Sequence, residues 1–208
     1  MTDLDDARAA VADAGRAMLD DGLVTGTAGN VSVRVGDLVA VSPASMPYSA
    51  VGAEDVCVVD LDGTVRDGPH RPSSETPLHL AVYASTDAAA VVHHHGLHSV
   101  AVSVVHDVLP ALHYYVVRLG GAPRVAPYAT YGTPELAASV RDALAGRSAA
   151  LMQNHGAVAH GTHLEEAYDR ARLVEWLCRL YSTAAPLGRP RTLTEDELAA
   201  VVARREQS

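Results

Sequence analysis

Histidines are concentrated in the stretch VVHHHGLH, which follows a run of alanine and valine. The run predicts a β-strand over 87–95, and the side chains of a strand alternate between its two faces. His93 and His95 therefore point the same way, where two imidazoles can reach one metal ion, while His94 points the other way. The alternative is a partly exposed strand end whose histidines hydrogen-bond water. The histidines that we assign to this alternative are His94 and His98.

Two other positions offer further ligands for such an ion. His155 lies in LMQNHGAV, where a glycine turns the backbone at the end of an apolar strand, and Glu75 lies in PSSETPLH, at the start of a helix. Either residue could be structural, because Asn-His-Gly is typical of a turn and a glutamate in a first helical turn interacts with the helix dipole. With His93 and His95 they supply three histidines and one carboxylate, a donor set typical of catalytic zinc. These residues predict a metal site but, alone, no reaction.

The elements that would carry these residues mix helices with strands along the whole chain. Gly22 is expected to end the first helix, and Ser73 or Ser74 to cap the second. No repeat or linker interrupts the pattern, so we predict one layered α/β domain over 1–208, with helices flanking a sheet. Helices are predicted over 4–21, 76–85, 97–105, 133–144, 164–182 and 194–205, and strands or strand pairs over 31–42, 55–65, 87–95, 111–119 and 148–161.

Composition excludes several classes of chemistry. All 16 basic residues are arginine, so the chain can neither form a lysine Schiff base nor carry the lysine of a Walker A loop. The net charge of −9 argues against non-specific binding to nucleic acid or anionic membranes. No stretch approaches the roughly 20 apolar residues of a membrane span. The acidic start MTDLDDARAA is unlike a secretory signal, and Cys57 and Cys178 make no disulfide framework. We therefore expect a cytoplasmic protein.

Six motifs occur in a characteristic order: GTAGNVSVR (26–34), PSSETPLHLAVY (72–83), AAVVHHHGLHSVAVS (89–103), PALHY (110–114), APYATYGTPEL (126–136) and LMQNHGAVA (151–159). Their order and spacing resemble those of the class II aldolase and adducin family, most closely the branch that cleaves L-fuculose 1-phosphate. The resemblance covers residues 4–183. It implies an α/β/α fold around a predominantly antiparallel sheet, and one zinc or other divalent ion per subunit. It also implies a homotetramer whose active sites lie between neighbouring subunits.

The resemblance also assigns roles to individual residues. The metal ligands would be Glu75, His93, His95 and His155. Glu75 would in addition move a proton, and Tyr114 would reach into the active site of a neighbouring subunit. Tyr131 would line the aldehyde pocket. The phosphate group would be held by Gly29, Asn30, Ala44, Ser45, Ser73 and Ser74.

Two departures from the family pattern bear on the substrate. The family usually has Thr-Gly or Ser-Gly where this chain has Ala44-Ser45, so a hydroxyl has moved by one position and a glycine is absent. The fuculose-specific branch also carries a tyrosine in a tail that closes on the substrate, whereas this chain has no tyrosine after Tyr181. We therefore expect specificity for a smaller aldehyde, or for a wider range of aldehydes.

The reaction implied by the resemblance is reversible cleavage of a ketose 1-phosphate into dihydroxyacetone phosphate and an aldehyde. The ketose would be L-fuculose 1-phosphate or a related short deoxy-ketose phosphate. Alternatives within the family are sugar-phosphate decarboxylases, a methylthioribulose-phosphate dehydratase and ribulose-5-phosphate 4-epimerases, which typically have aspartate at the position of Glu75. The non-enzymatic alternative is an adducin-like scaffold, whose relatives have lost the metal ligands that are present here.

Overall fold

The computed structural model describes residues 3–207, without the side chain at position 206, so the ends of the predicted domain at 1, 2 and 208 lie outside it. In this part, eight strands form one sheet in the order β4-β3-β2-β1-β5-β8-β7-β6. Neighbouring strands are antiparallel except β6 and β7, which are parallel. The strands are β1 (Asn30–Val35), β2 (Leu38–Val41), β3 (Cys57–Asp60), β4 (Val65–Asp67), β5 (Ala90–His94), β6 (Val125–Ala126), β7 (Ala149–Met152) and β8 (Gly156–Gly161).

Helices cover both faces of the sheet and bury two separate apolar cores. On one face pack α1, α3 and α5, and on the other α2 and α4. Consecutive residues of β5 divide between the cores, with Val91 in one and Val92 in the other, as the alternation of a strand requires. The helices are α1 (Asp3–Asp20), α2 (Thr76–Ser85), α3 (Leu97–Ser103), α4 (Pro134–Ala143), α5 (Leu164–Ala184) and α6 (Glu195–Glu206). The predicted α/β/α layering is confirmed, and no helix of the described residues is long and apolar enough to cross a membrane.

The strand predicted over 111–119 is wrong. Tyr114–Leu119 form a 3-10 helix, capped by the ring of His113, whose Nδ1 accepts from the amide of Tyr115. Val116 and Leu119 are its buried residues. Their spacing of three matches the three residues per turn of a 3-10 helix rather than the two-residue period of a strand. The aromatic and β-branched residues of this segment favour a strand locally, but burial of this one face outweighs that preference.

Three neighbouring strands bring the predicted site residues to one edge of the sheet. Asn30 begins β1 and pairs with His93 near the end of β5. On the other side of β5, His93 pairs with Val158 of β8, which begins directly after His155. Antiparallel pairing therefore places the start of β1, the end of β5 and the start of β8 side by side.

Candidate metal centre

Four side chains converge at this edge of the sheet. Glu75, His93, His95 and His155 each offer a ligand atom, and these atoms lie within 4.8 Å of one another. Nε2 of His93 lies 3.0 Å from Oε2 of Glu75 and 2.9 Å from Nε2 of His95. Nε2 of His155 lies 3.3 Å from Oε1 of the same carboxylate. The structure thus brings together all four residues that the sequence suggests as ligands.

Gly156 allows the turn after His155 to approach β5 closely. A Cβ atom at this position would overlap the carbonyl oxygen of His94 and lie 3.3 Å from Cα of His95. The glycine of the Asn-His-Gly motif is therefore required by close packing of two backbones. Asn154, with φ of 58°, makes the sharp turn that precedes it.

Lone pairs of the cluster converge on a position where a cation could bind. Nδ1 of His93 lies 2.9 Å from the carbonyl oxygen of Ala157, and because a carbonyl only accepts, this nitrogen carries the proton. In the neutral ring, Nε2 then presents a lone pair toward the Glu75 carboxylate and His95. Among the described residues, the buried Oε1 of Glu75 has no hydrogen-bond donor. Lone pairs that converge in this way repel unless a cation or a proton lies between them.

The electrostatics of the cluster favour the metal-binding forms of Glu75, His95 and His155. Burial lowers the pKa of His95 to about 3 and that of His155 to about 4, and the neighbouring His93 acts in the same direction. Burial opposes ionisation of Glu75, but His93, His155 and a hydrogen bond from Asn30 bring its pKa well below the usual value. Burial likewise opposes a charge on His93, whose pKa is nevertheless raised by Glu75. A metal ion and a proton would therefore compete for the position between Glu75 and His93.

His94 does not lie at an exposed strand end, so its predicted role is wrong. The side chain is fully buried on the other side of β5, and its Nδ1 accepts from the amide of Gly96. Burial lowers its pKa to about 3. The end of β5 is therefore buried, and not exposed as the sequence suggests, because α5 covers this face of the strand.

The start of α2 positions Glu75 at the cluster. Glu75 is itself the N-cap residue, and its amide donates to the hydroxyl of Ser73 at 3.2 Å. The prediction that Ser73 or Ser74 caps the helix is therefore wrong, because Glu75 occupies the N-cap position. Ser73 instead orients the backbone before the helix, and Ser74 is exposed. This arrangement directs the carboxylate toward the histidines while leaving hydroxyl groups beside it.

A cavity of about 380 Å³ opens directly onto the cluster. It brings together all the residues predicted to hold phosphate and also Tyr131. Sequence reasoning named these residues of its lining: Gly29, Asn30, Ala44, Ser45, Ser73, Ser74, Glu75, Tyr131, His95 and His155. The ones that it left without a role are Thr27, Ala28, Pro43, Tyr128, Ala129 and Asn154. Most of the second group lie inside the motifs quoted above, so position in a motif was the available signal.

Two residues in a strained backbone conformation line this same cavity. Ser45 and Asn154 are the non-glycine residues with positive φ in the part of the chain described, both at 58°. The left-handed region costs most L-residues about 1–2 kcal/mol and asparagine less, and strain of this kind concentrates at functional sites. The backbone at Ser45 thus has a conformation that suits glycine, the residue absent at this point of the family pattern.

Tyr114 does not line the cavity within one chain. It lies in the 3-10 helix with 46% of its surface exposed, and its ring stacks on His113 at 4.4 Å. The described residues that line the cavity fall between positions 27 and 155, so α6 contributes none of them. The role predicted for Tyr114 in a neighbouring subunit stays a prediction, and so does the aldehyde specificity expected from the missing tail tyrosine.

Comparison with known proteins gives a consistent result. Residues 9–182 match the family described as class II aldolase and adducin N-terminal domain. The chain is 43% identical over 183 residues to L-fuculose phosphate aldolase of Escherichia coli (strain K12), which covers 87% of this chain and 85% of that enzyme. It is 36% identical over 187 residues to 5-deoxy-D-ribulose 1-phosphate aldolase of Bacillus thuringiensis, which covers 88% of each. A solved L-fuculose 1-phosphate aldolase superposes with a TM-score of 0.92 at 32% identity, over 97% of this chain and 96% of that one.

Proposed function

The chain belongs to the class II aldolase and adducin family, and from this premise we propose that it is a zinc-dependent aldolase acting in the cytoplasm. It would reversibly cleave a ketose 1-phosphate to dihydroxyacetone phosphate and an aldehyde. The observation that carries the proposal is the cluster of Glu75 and three histidines at the mouth of a cavity lined with hydroxyl groups and amides. The two free cysteines are buried, which fits a reducing compartment.

The phosphate end of the substrate would be held by polar groups of the cavity beside the cluster. Gly29, Asn30, Ser45, Ser73 and Ser74 are among the residues that line it. Backbone amides and hydroxyls bind a phosphate by donating hydrogen bonds, without a fixed positive charge. Gly29 has φ of +75°, and a Cβ there would lie 2.7 Å from the carbonyl oxygen of His93. Glycine at this position therefore lets the backbone follow the anion closely while it remains packed on β5.

Proton transfer would fall to two side chains. Glu75 lies at the cluster with a buried oxygen that accepts no hydrogen bond from the described residues, so it would move the proton at C3 as the C3–C4 bond breaks or forms. Tyr114 of a neighbouring subunit in a homotetramer would exchange a proton with the oxygen at C4. A zinc ion at the cluster would supply Lewis-acid polarisation of the oxygens at C2 and C3, a role that no lysine in this chain can take.

Two lengths of deoxy-ketose phosphate are the candidate substrates. Cleavage between C3 and C4 of fuculose 1-phosphate leaves a three-carbon hydroxyaldehyde, and cleavage of 5-deoxyribulose 1-phosphate leaves acetaldehyde. The relatives named above act on one or the other. The exposed Tyr131 lines the cavity, where its ring and hydroxyl would contact the aldehyde part of either substrate.

The test is release of dihydroxyacetone phosphate from a panel of ketose 1-phosphates, before and after removal of metal by a chelator. We expect release that is lost with the chelator and restored by zinc, and that falls at least 100-fold in Glu75→Gln. The matched control is Glu54→Gln, an exposed carboxylate that does not line the cavity. No release from any member of the panel by the zinc-loaded protein would reject the aldolase and leave the decarboxylase, dehydratase or epimerase. A protein that binds no metal would instead leave the scaffold.

A further inference from the structure

A buried chain of hydrogen bonds runs from the far end of α2 to the Glu75 carboxylate. The hydroxyl of Tyr83 lies 2.6 Å from Oγ of Ser32, which lies 2.7 Å from Nδ1 of His79. Nε2 of His79 lies 2.5 Å from Oδ1 of Asn30, and Nδ2 of Asn30 donates to Oε2 of Glu75 at 3.0 Å. All five residues are at least nine-tenths buried.

The two elements that form this chain face each other through regular spacings. Glu75, His79 and Tyr83 are four residues apart and so lie along one side of α2. Asn30 and Ser32 are two residues apart and lie on one face of β1. The side chains therefore alternate between helix and strand, and each polar atom finds its partner on the opposite element.

All the donors in this chain of hydrogen bonds point in one direction, from Tyr83 toward Glu75. A carboxylate only accepts, so Asn30 must turn its NH2 group toward Glu75 and its oxygen toward His79. Nε2 of His79 must then donate, and in a neutral ring Nδ1 accepts from Ser32, which in turn accepts from Tyr83. Burial, followed by the charge of His93, lowers the pKa of His79 to about 3, which keeps the ring neutral. A flipped Asn30 amide would instead place two acceptors against each other.

We propose that His79, oriented by Ser32, is a positioning residue that locks the amide of Asn30 with its NH2 group toward Glu75. Asn30 also lines the cavity, so its second amide hydrogen is free to meet the phosphate of a substrate. One locked amide would thus hold the Glu75 carboxylate at the metal position and bind substrate at the same time. This inference rests on the proposed function, because it assigns the chain of hydrogen bonds to the same site.

The decisive residue is His79, since it donates to the oxygen of the Asn30 amide and so holds the amide from the side opposite Glu75. His79→Leu removes the donor to Asn30, which frees the amide to flip. His79→Gln keeps an amide donor near the position of Nε2 and serves as the conservative rescue. Tyr83→Phe is the matched control, because it removes a buried hydroxyl from the far end while the donor to Asn30 remains.

The readout is zinc affinity, measured by competition with a fluorescent chelator, together with the visible spectrum of the cobalt-substituted protein. We expect about tenfold weaker zinc binding and an altered cobalt spectrum for His79→Leu, the size of change that outer partners of metal ligands produce. His79→Gln and Tyr83→Phe should stay within about twofold of the unmodified protein. Urea unfolding of each variant separates this effect from general destabilisation, which should not correlate with zinc affinity.

Two outcomes would overturn the inference. The first is a folded His79→Leu protein with unchanged zinc affinity and cobalt spectrum. The second is a loss in His79→Gln equal to that in His79→Leu, which would assign the effect to packing. Failure of the proposed function is distinguishable, because the unmodified protein would then release no dihydroxyacetone phosphate whatever the behaviour of the variants.

Discussion

Replacing Gly156 with alanine should disrupt the candidate metal centre while leaving all four ligands in place. Gly156 follows His155 at the start of β8, and its new methyl group would overlap the carbonyl oxygen of His94. Carbon and oxygen atoms of neighbouring strands approach to about 3.3 Å, so one backbone must move by roughly 1 Å. The movement separates His155 from His95, whose Cα would lie 3.3 Å from the added carbon.

The size of the effect follows from how narrowly a metal site tolerates displacement. Ligand distances must hold within about 0.2 Å, so a shift of roughly 1 Å leaves at least one histidine out of reach. We expect zinc affinity to fall on the order of 100-fold, about 2.7 kcal/mol. Overpacking should cost a further 1–3 kcal/mol of unfolding free energy, as an order-of-magnitude figure.

The assay is zinc titration of metal-free protein by calorimetry, with urea unfolding of the same samples. The matched control is Gly36→Ala in the turn between β1 and β2, where φ is +61° and a Cβ meets nothing within 4 Å. Its backbone strain should cost about 1 kcal/mol of unfolding free energy with no effect on zinc. A folded Gly156→Ala protein with the original zinc affinity would refute the reasoning that close packing of β5 and β8 sets the ligand geometry.

Three further predictions concern the cavity loop, the base of α3 and a histidine remote from the site. Ser45→Ala should raise KM for the ketose 1-phosphate roughly tenfold at constant kcat, because a hydroxyl donor to phosphate is lost, whereas Ser45→Gly should also relieve about 1 kcal/mol of strain in urea unfolding. An unchanged KM for both would remove Ser45 from the phosphate site. Glu175 accepts hydrogen bonds from the amides of His98 and Ser99 and from the Ser99 hydroxyl. Glu175→Ala should therefore lower the free energy of unfolding by about 3 kcal/mol. A loss below about 1 kcal/mol in urea unfolding would contradict this role. Burial lowers the pKa of His160, so the unfolded state takes up a proton first and stability falls below about pH 6.5, by at most about 1.4 kcal/mol per pH unit. His160→Gln should flatten the stability profile in this range, and an identical profile would show that the ring is not buried neutral.

The layered fold could be predicted because each strand and hairpin is indicated by a short stretch of the sequence. Buried strands such as Ala90–His94 read as continuous apolar runs, and the hairpin between β1 and β2 follows from the glycine at position 36. The segment Tyr114–Leu119 defeated the same reasoning, because its residues have strand propensity while its burial has a period of three. The burial of His94 also depends on α5, which packs from about 70 residues further along the chain.

Some features of the candidate site could likewise be predicted from the sequence, and others could not. The spacing of His93 and His95 within one strand is visible in the sequence, and so is the glycine after His155. The hydrogen-bond chain behind Glu75 was missed, although its helical spacing of four through His79 to Tyr83 is equally regular. What the sequence lacks is the pairing of that helix face with β1, which only the folded chain provides.

The measurement that tests the central claim most directly is a calorimetric zinc titration of metal-free protein, compared with His155→Asn. Our account expects one zinc ion per chain, with binding that weakens as the pH falls because protons compete for the same ligand atoms. His155→Asn should lose most of this affinity, since one of the four converging ligands is gone. Equal binding by both proteins, or no binding by the unmodified chain, would contradict the assignment of these residues to a metal centre.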